Sequence, residues 1–180
     1  MSWEFAVLDW MQANWRGPVL DGIVPVFSAL WDWGVPWFLL TAVLIWYKPT
    51  RKMGWCVLCA IGVELLVVSL GIKPLVDRLR PCDINLAIEQ LVPRPRSASF
   101  PSGHTAQAFA VSGALYFCRS KWFVPVAVLS VLLALSRLYL YVHFPTDVAA
   151  GILIGWLCGW VAVVLCRRGE SLKNQKQTKN

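Results

Sequence analysis

Charge is what this 180-residue sequence has least of: Asp, Glu, Lys and Arg make up only 15% of it, while 57% is hydrophobic. So apolar a chain is neither disordered nor an ordinary soluble domain. Histidine is scarcer still, at two residues. No carboxylate-rich run is available to cage a metal ion. The single CxxC, Cys56 and Cys59, lies in an apolar stretch with no second pair at zinc-finger spacing, and reads as buried, unreactive cysteine. The first fifteen residues have no basic start and no unbroken apolar core, and they carry Glu4 and Asp9. They do not read as a secretory leader. Repeats of fixed period and low-complexity segments are also absent.

What the sequence has is apolar length. Its mean hydropathy is +0.56 and it holds 11 tryptophans. At about 20 residues per crossing, it reads as all-α: a polytopic membrane helical bundle with about five transmembrane helices plus an N-terminal interfacial helix. In residues 1–16, Trp3, Val7, Trp10 and Met11 recur at helical spacing among polar residues, the pattern of a helix lying in the headgroups. Residues 17–166 form the membrane domain. Its first crossing is expected over residues 33–47, after a partly immersed segment interrupted by Pro25, Asp32, Gly34 and Pro36. The others are expected over residues 53–72, 100–117, 122–135 (continuing helically to about Tyr141) and 148–166. Glu64, the one charge in the second, is expected to turn into the bundle and be hydrogen-bonded there. Residues 167–180 read as a basic cytoplasmic tail without regular structure.

The net charge of +7 does not point to nucleic acid, because the basic residues fall in short clusters between apolar segments. Successive helices alternate in direction, so Lys48, Arg51 and Lys52, then Arg119 and Lys121, then Arg167 and Arg168 share one face. The positive-inside rule makes that face cytoplasmic.

Three clusters collect on the other face: residues 73–81 (KPLVDRLRP), 101–104 (PSGH) and 136–147 (SRLYLYVHFPTD). Lys73 and Arg80 are seven apart, which on a continuous helix places both on one face, although Pro74 would kink that helix and Pro81 disfavours its continuation. Pro101 suits the first position of a helix, leaving Ser102 and Gly103 to offer a hydroxyl and free backbone amides at a positive terminus. Pro145 likewise opens the last helix. His143 then stands just ahead of it and Asp147 in its first turn, close enough to fix the imidazole tautomer and leave the other nitrogen as a nucleophile. Arg137 is placed to fork two donors onto a phosphate. Three cations and a helix N-terminus suit a dianion; two histidines and a carboxylate supply an acid, a nucleophile and its orienter. Phosphate ester cleavage needs this set, with no metal or other cofactor.

The ordered triple KxxxxxxRP, PSGH and SRxxxxxHxxxD resembles the signature of the type 2 phosphatidic acid phosphatase (PAP2) superfamily, with every position and spacing intact. The resemblance implies that His143 attacks phosphorus to form a phosphohistidine, with Asp147 orienting it. His104 protonates the leaving oxygen and then activates water. Lys73, Arg80, Ser102, Gly103 and Arg137 bind the phosphoryl oxygens. It further implies a lipid phosphate or diphosphate substrate, such as undecaprenyl diphosphate, phosphatidylglycerol phosphate or phosphatidic acid, handled at the extracytoplasmic face of a bacterial plasma membrane. The competing expectation is a protein that binds or transports a phosphorylated lipid without hydrolysing it. Arg78, Arg94 and Arg96 are expected to be solvated or to meet headgroups, the alternative being that they help hold a second phosphate.

Overall fold

The computed structural model describes residues 2–177, and among them there are helices and no strands. Helices α1 (Trp3–Trp15) and α2 (Pro18–Leu30) are followed by a 3₁₀ turn, Asp32–Gly34, and α3 (Val35–Trp46). Helix α4 (Arg51–Glu64) widens into a π-helical stretch, Leu65–Ile72, and closes with α5 (Lys73–Val76). A short α6 (Pro81–Ile84), a loop, α7 (Gly103–Phe117), α8 (Phe123–Tyr139) and α9 (Pro145–Gln177) complete the order.

Two helical stretches, Lys48–Ile84 and Pro145–Gly169, are long and apolar enough to cross a bilayer. The pair α2 and α3, bent by 45° at the break between them, makes a third if it counts as one span, and α8 is a shorter apolar helix. The chain is thus an all-helical membrane protein. The segment expected to lack regular structure from residue 167 instead continues α9 as far as Gln177. The last three residues of that expected tail lie outside the described residues.

Small residues decide the central contact. In lipid, helices gain little from burying apolar area against each other, so close backbone approach must hold them. Gly151, Gly155 and Gly159 on α9 face α7, where a Cβ on Gly155 would overlap the Ala106 carbonyl oxygen and one on Gly159 would lie 2.7 Å from that of Ala110. This seam brings the start of α7 beside the start of α9, and the Ser102 amide donates to the Asp147 carbonyl at 3.0 Å. Gly155→Leu should force the seam apart and destabilise the fold by at least ~2 kcal/mol, since the obstacle is backbone that cannot repack. A lowered thermal transition in detergent is the measure.

Two irregularities shape the site. Pro74 has no N–H and its ring crowds the carbonyl four residues back, at Leu70, where the chain is π-helical. Asp77 then adopts a left-handed conformation with φ 42°, ending the helix. Lys73 and Arg80 therefore do not share a helical face, contrary to the seven-residue spacing argument. The helix ends between them, and Arg80 is extended (φ −82°, ψ 152°), as its place before Pro81 requires.

Helix α1 buries Leu8 and Met11 in a cluster with Tyr139, Leu140, Tyr141, Val142 and Phe144. Gln12 Nε2 donates to the Tyr139 carbonyl at 2.8 Å and the Tyr141 hydroxyl to Asp9 Oδ1 at 2.6 Å. The N-terminal helix thereby holds the loop that carries His143.

Candidate active site

Pro145 is the first residue of α9, so His143 stands in the preceding loop and Asp147 in the first turn, as read from the sequence. Both are buried, at 2% and 0% exposure. Arg80 Nη1 lies 3.1 Å from His143 Nε2. A guanidinium only donates, so Nε2 must be the accepting nitrogen and Nδ1 must carry the ring proton. That proton faces Asp147 Oδ2 at 3.6 Å and Ser99 Oγ at 3.5 Å.

Asp147 is held from several sides. The Ser99 hydroxyl donates to Oδ2 at 2.5 Å and the Phe144 amide to the same oxygen at 2.8 Å, while Arg78 Nη1 donates to Oδ1 at 2.7 Å. Arg78 also donates to Thr146 Oγ1 at 2.8 Å and to Glu4 Oε2 at 2.7 Å, and it lies over the Phe144 ring at 4.0 Å. The expectation that Arg78 is solvated is therefore corrected: it staples α1 to the carboxylate. Arg94 and Arg96 are exposed, as expected.

Burial and the charges of Arg80 and Arg137 hold the His143 pKa well below the ordinary imidazole value, against the pull of Asp147. The unfolded chain takes up this proton near pH 6.5, whereas the folded chain refuses it until lower pH, so this group makes stability fall as pH drops below about 6.5. Thermal unfolding at pH 7 and pH 5 should show a steeper acid decline for the native chain than for His143→Gln.

Three cations converge beside this imidazole. Arg80 is buried and spends its donors on the Ser97 carbonyl (2.8 Å), the Val142 carbonyl (2.8 Å) and Ser97 Oγ (3.1 Å). Half-buried Lys73 reaches the same Ser97 Oγ at 3.5 Å. Arg137, 4% exposed, donates from Nη1 to Ser28 Oγ, and its Nε is buried without a partner. Among the described residues none of the three forms an ion pair with a carboxylate. Buried charge without a counter-charge is costly, so the arrangement calls for an anion.

The start of α7 differs in detail from the sequence reading. The helix begins at Gly103, with Ser102 as its N-cap, so Pro101 lies ahead of the helix and not at its first position. The Ser102 amide is occupied by the Asp147 carbonyl and its hydroxyl pairs with Thr105 Oγ1 at 2.9 Å. The free-amide expectation is thus corrected for Ser102, whereas Gly103 opens the helix with Lys73 directly above it: a Cβ there would lie 3.5 Å from Lys73 Nζ. An ammonium facing a positive helix end again leaves room for negative charge between them.

His104, in the first turn, places Nε2 2.9 Å from Asp32 Oδ1. Asp32 comes from the turn between α2 and α3, where Trp33 and Gly34 both have positive φ (61° and 68°). Any residue with a Cβ would be strained at Gly34 by this φ, and its Cβ would also push the Gln107 amide aside. Glu64 is 2% exposed, as its place in the bundle suggested, but no hydrogen bond to its carboxylate is found among the described residues; it lines a cavity beside His104. Ser99, Arg78 and Asp32 were missed as site residues by the sequence reading.

An all-helical membrane protein with a buried histidine and carboxylate, a second histidine and unpaired cations between helix ends is built for phosphoryl chemistry. Residues 53–169 match the family model described as the PAP2 superfamily, and the chain belongs to that superfamily. It is 29% identical to the "Undecaprenyl-diphosphatase" of Sulfolobus acidocaldarius over 161 residues, 89% of this chain and 77% of that one. Among solved structures it resembles Aquifex aeolicus LpxE (TM-score 0.79, 27% identity), covering 91% of this chain and 96% of that one. It also resembles the PAP2-type phosphatidylglycerolphosphate phosphatase of Bacillus subtilis (TM-score 0.72, 25% identity), over 91% and 84%.

Proposed function

We propose that the chain hydrolyses the phosphate of a lipid phosphate or diphosphate through a phosphohistidine on His143. It is a lipid phosphatase. The observation that carries the residue assignment is the convergence of Lys73, Arg80 and Arg137, none ion-paired among the described residues, beside the accepting nitrogen of His143.

In this reading the phosphoryl group enters among those cations, the Gly103 end of α7 and Ser102, and it takes over the Arg80 N–H now resting on Nε2. The freed Nε2 lone pair attacks phosphorus in line and forms the P–N bond as the P–O bond to the lipid breaks. His104 delivers a proton to the departing oxygen. The Nδ1 proton stays with the imidazole and turns toward Asp147, which balances the charge that attack places on the ring. Water then attacks phosphorus, His104 takes its proton, the P–N bond breaks and inorganic phosphate leaves.

Five crossings, counting α2 with α3, then α4, α7, α8 and α9, put the site at one bundle end. At the other, Lys52 and Arg167 line a shared cavity. With that end cytoplasmic, the site faces outward from a bacterial inner membrane. Residues 1–16, 17–166 and 167–180 serve as interfacial helix, catalytic domain and basic end segment.

The test is release of inorganic phosphate from a lipid phosphate by purified protein in detergent with EDTA present. Release is expected, together with an acid-labile, base-stable phosphoryl adduct on quenching. Lipid binding with no release would reject hydrolysis.

A further inference from the structure

The carboxylate beside His143 is paired before any substrate arrives. Arg78 Nη1 donates to Asp147 Oδ1 at 2.7 Å, so one guanidinium offsets the charge of the group that must balance the His143 ring during attack. A neutralised aspartate would do that work poorly. Ring charge is opposed from the other side as well, where Arg80 and Arg137 act on His143 and Lys73 belongs to the same group of cations. A phosphate dianion bound among those three offsets two of them and leaves one uncompensated.

A second carboxylate, from outside the three signature segments, closes this balance. Glu4, on α1, accepts from Arg78 Nη2 through Oε2 at 2.7 Å. Its other oxygen accepts the Thr146 hydroxyl at 2.6 Å and the Thr146 amide at 3.4 Å, in the first turn of α9. Thr146 Oγ1 in turn accepts from Arg78 Nη1 at 2.8 Å. Both oxygens of Glu4 are thus spent on residues that touch or adjoin Asp147. The Glu4 side chain is only 12% exposed, although Trp3 and Trp10 of the same helix are 61% and 56% exposed. An exposed ion pair would contribute little; this one is largely withdrawn from water and shares its cation with a fully buried carboxylate. With Glu4 counted, two carboxylates share one guanidinium and the cluster keeps one net negative charge.

We propose that Glu4 is a positioning residue for phosphoryl transfer: by sharing Arg78 it leaves Asp147 its negative charge toward His143, so that α1 helps set the rate at which the phosphohistidine forms. The proposal rests on the phosphohistidine reading above. In that step Nε2 bonds to phosphorus and the P–O bond to the lipid breaks. His104 supplies the proton to the departing oxygen, while the ring keeps its Nδ1 proton and becomes cationic. Glu4 touches neither the substrate nor the ring; it acts through Arg78 and Asp147. At the effective dielectric of a partly buried site, a unit charge removed at this remove changes a rate by about a factor of ten.

Rapid-quench formation of the phosphoryl adduct from dodecyl phosphate, with steady-state kcat and KM in the same detergent, tests it. Glu4→Gln keeps the shape of the side chain and removes its charge. It should lower kcat and the rate of adduct formation about tenfold, with KM and vanadate affinity within about threefold of native, because the phosphate-binding cations are untouched. Glu4→Asp, which keeps the charge, should recover most of the loss. Removing the cation as well, in the double variant Glu4→Gln with Arg78→Gln, returns the net negative charge to Asp147. Its kcat should rise several-fold above that of Glu4→Gln alone, whereas a bolt that merely holds α1 in place predicts a further fall. Phe5 packs edge-on against Phe144 at 5.3 Å between ring centroids, so Phe5→Ala loosens α1 without touching a charge, and its kcat should stay within about threefold of native. A Glu4→Gln kcat equal to native, a double variant slower than the single one, or an equal loss in Phe5→Ala overturns the role of Glu4 while leaving the phosphatase intact. Neither phosphate release nor adduct from the native enzyme overturns the phosphatase reading itself.

Discussion

His143→Ala should lower kcat by roughly 10⁴- to 10⁶-fold, the range seen when a nucleophile acting within a constellation is removed. The side chain is buried in a compact loop braced by α1, so the shorter residue leaves a small void and the fold should persist. The discriminating result is that the variant still binds vanadate, because Lys73, Arg80 and Arg137 remain to hold the anion. No phosphoryl adduct should then be trapped. Retained turnover in His143→Ala would remove His143 as the nucleophile, whatever the family.

The second large effect concerns Arg137. Its Nη1 is fixed by Ser28 and its Nε has no partner, so the guanidinium has donors in reserve while buried at 4% exposure. Arg137→Lys keeps the charge but loses the planar fork and shortens the reach. It should cost roughly 10² to 10³ in kcat/KM, as loss of one preorganised donor to a developing oxyanion does. Vanadate affinity should weaken in parallel, because the five-coordinate analogue uses the same donors. A kcat/KM within about threefold of native would place Arg137 in the scaffold and outside the site.

The parts legible from sequence were those with local causes. Pro145 opens α9 because its fixed φ and missing N–H suit a first turn, and that alone places His143 and Asp147 within 3.6 Å of each other. Apolar length gave the helices, while their breaks depended on single residues: Asp77 tolerates the left-handed turn that separates Lys73 from Arg80, and the spacing of seven concealed it. Pro101, two residues before Gly103, misled about the start of α7 because a proline suits a turn ahead of a helix as well as its first position. Ser99, Arg78, Asp32 and Glu4 were not legible as site residues. They reach their partners across 48, 69, 72 and 74 positions, and no periodicity or short motif encodes so distant a pairing. The cue for Arg78 was present only as an unexplained cation two residues before Arg80.

The Arg78 staple has a consequence in time. It joins Glu4, near the beginning of the chain, to Asp147, at the opening of the last helix. During synthesis the first helix, the basic loop and the serine beside it all emerge before the carboxylate that organises them. Domains generally take shape as the chain lengthens, yet here the nucleophile has no orienter until α9, which carries Asp147, is made. A truncated chain would carry the cations without the reaction. Hydrolysis therefore waits on the segment that carries Asp147, and a copy halted before it has no means of consuming its lipids.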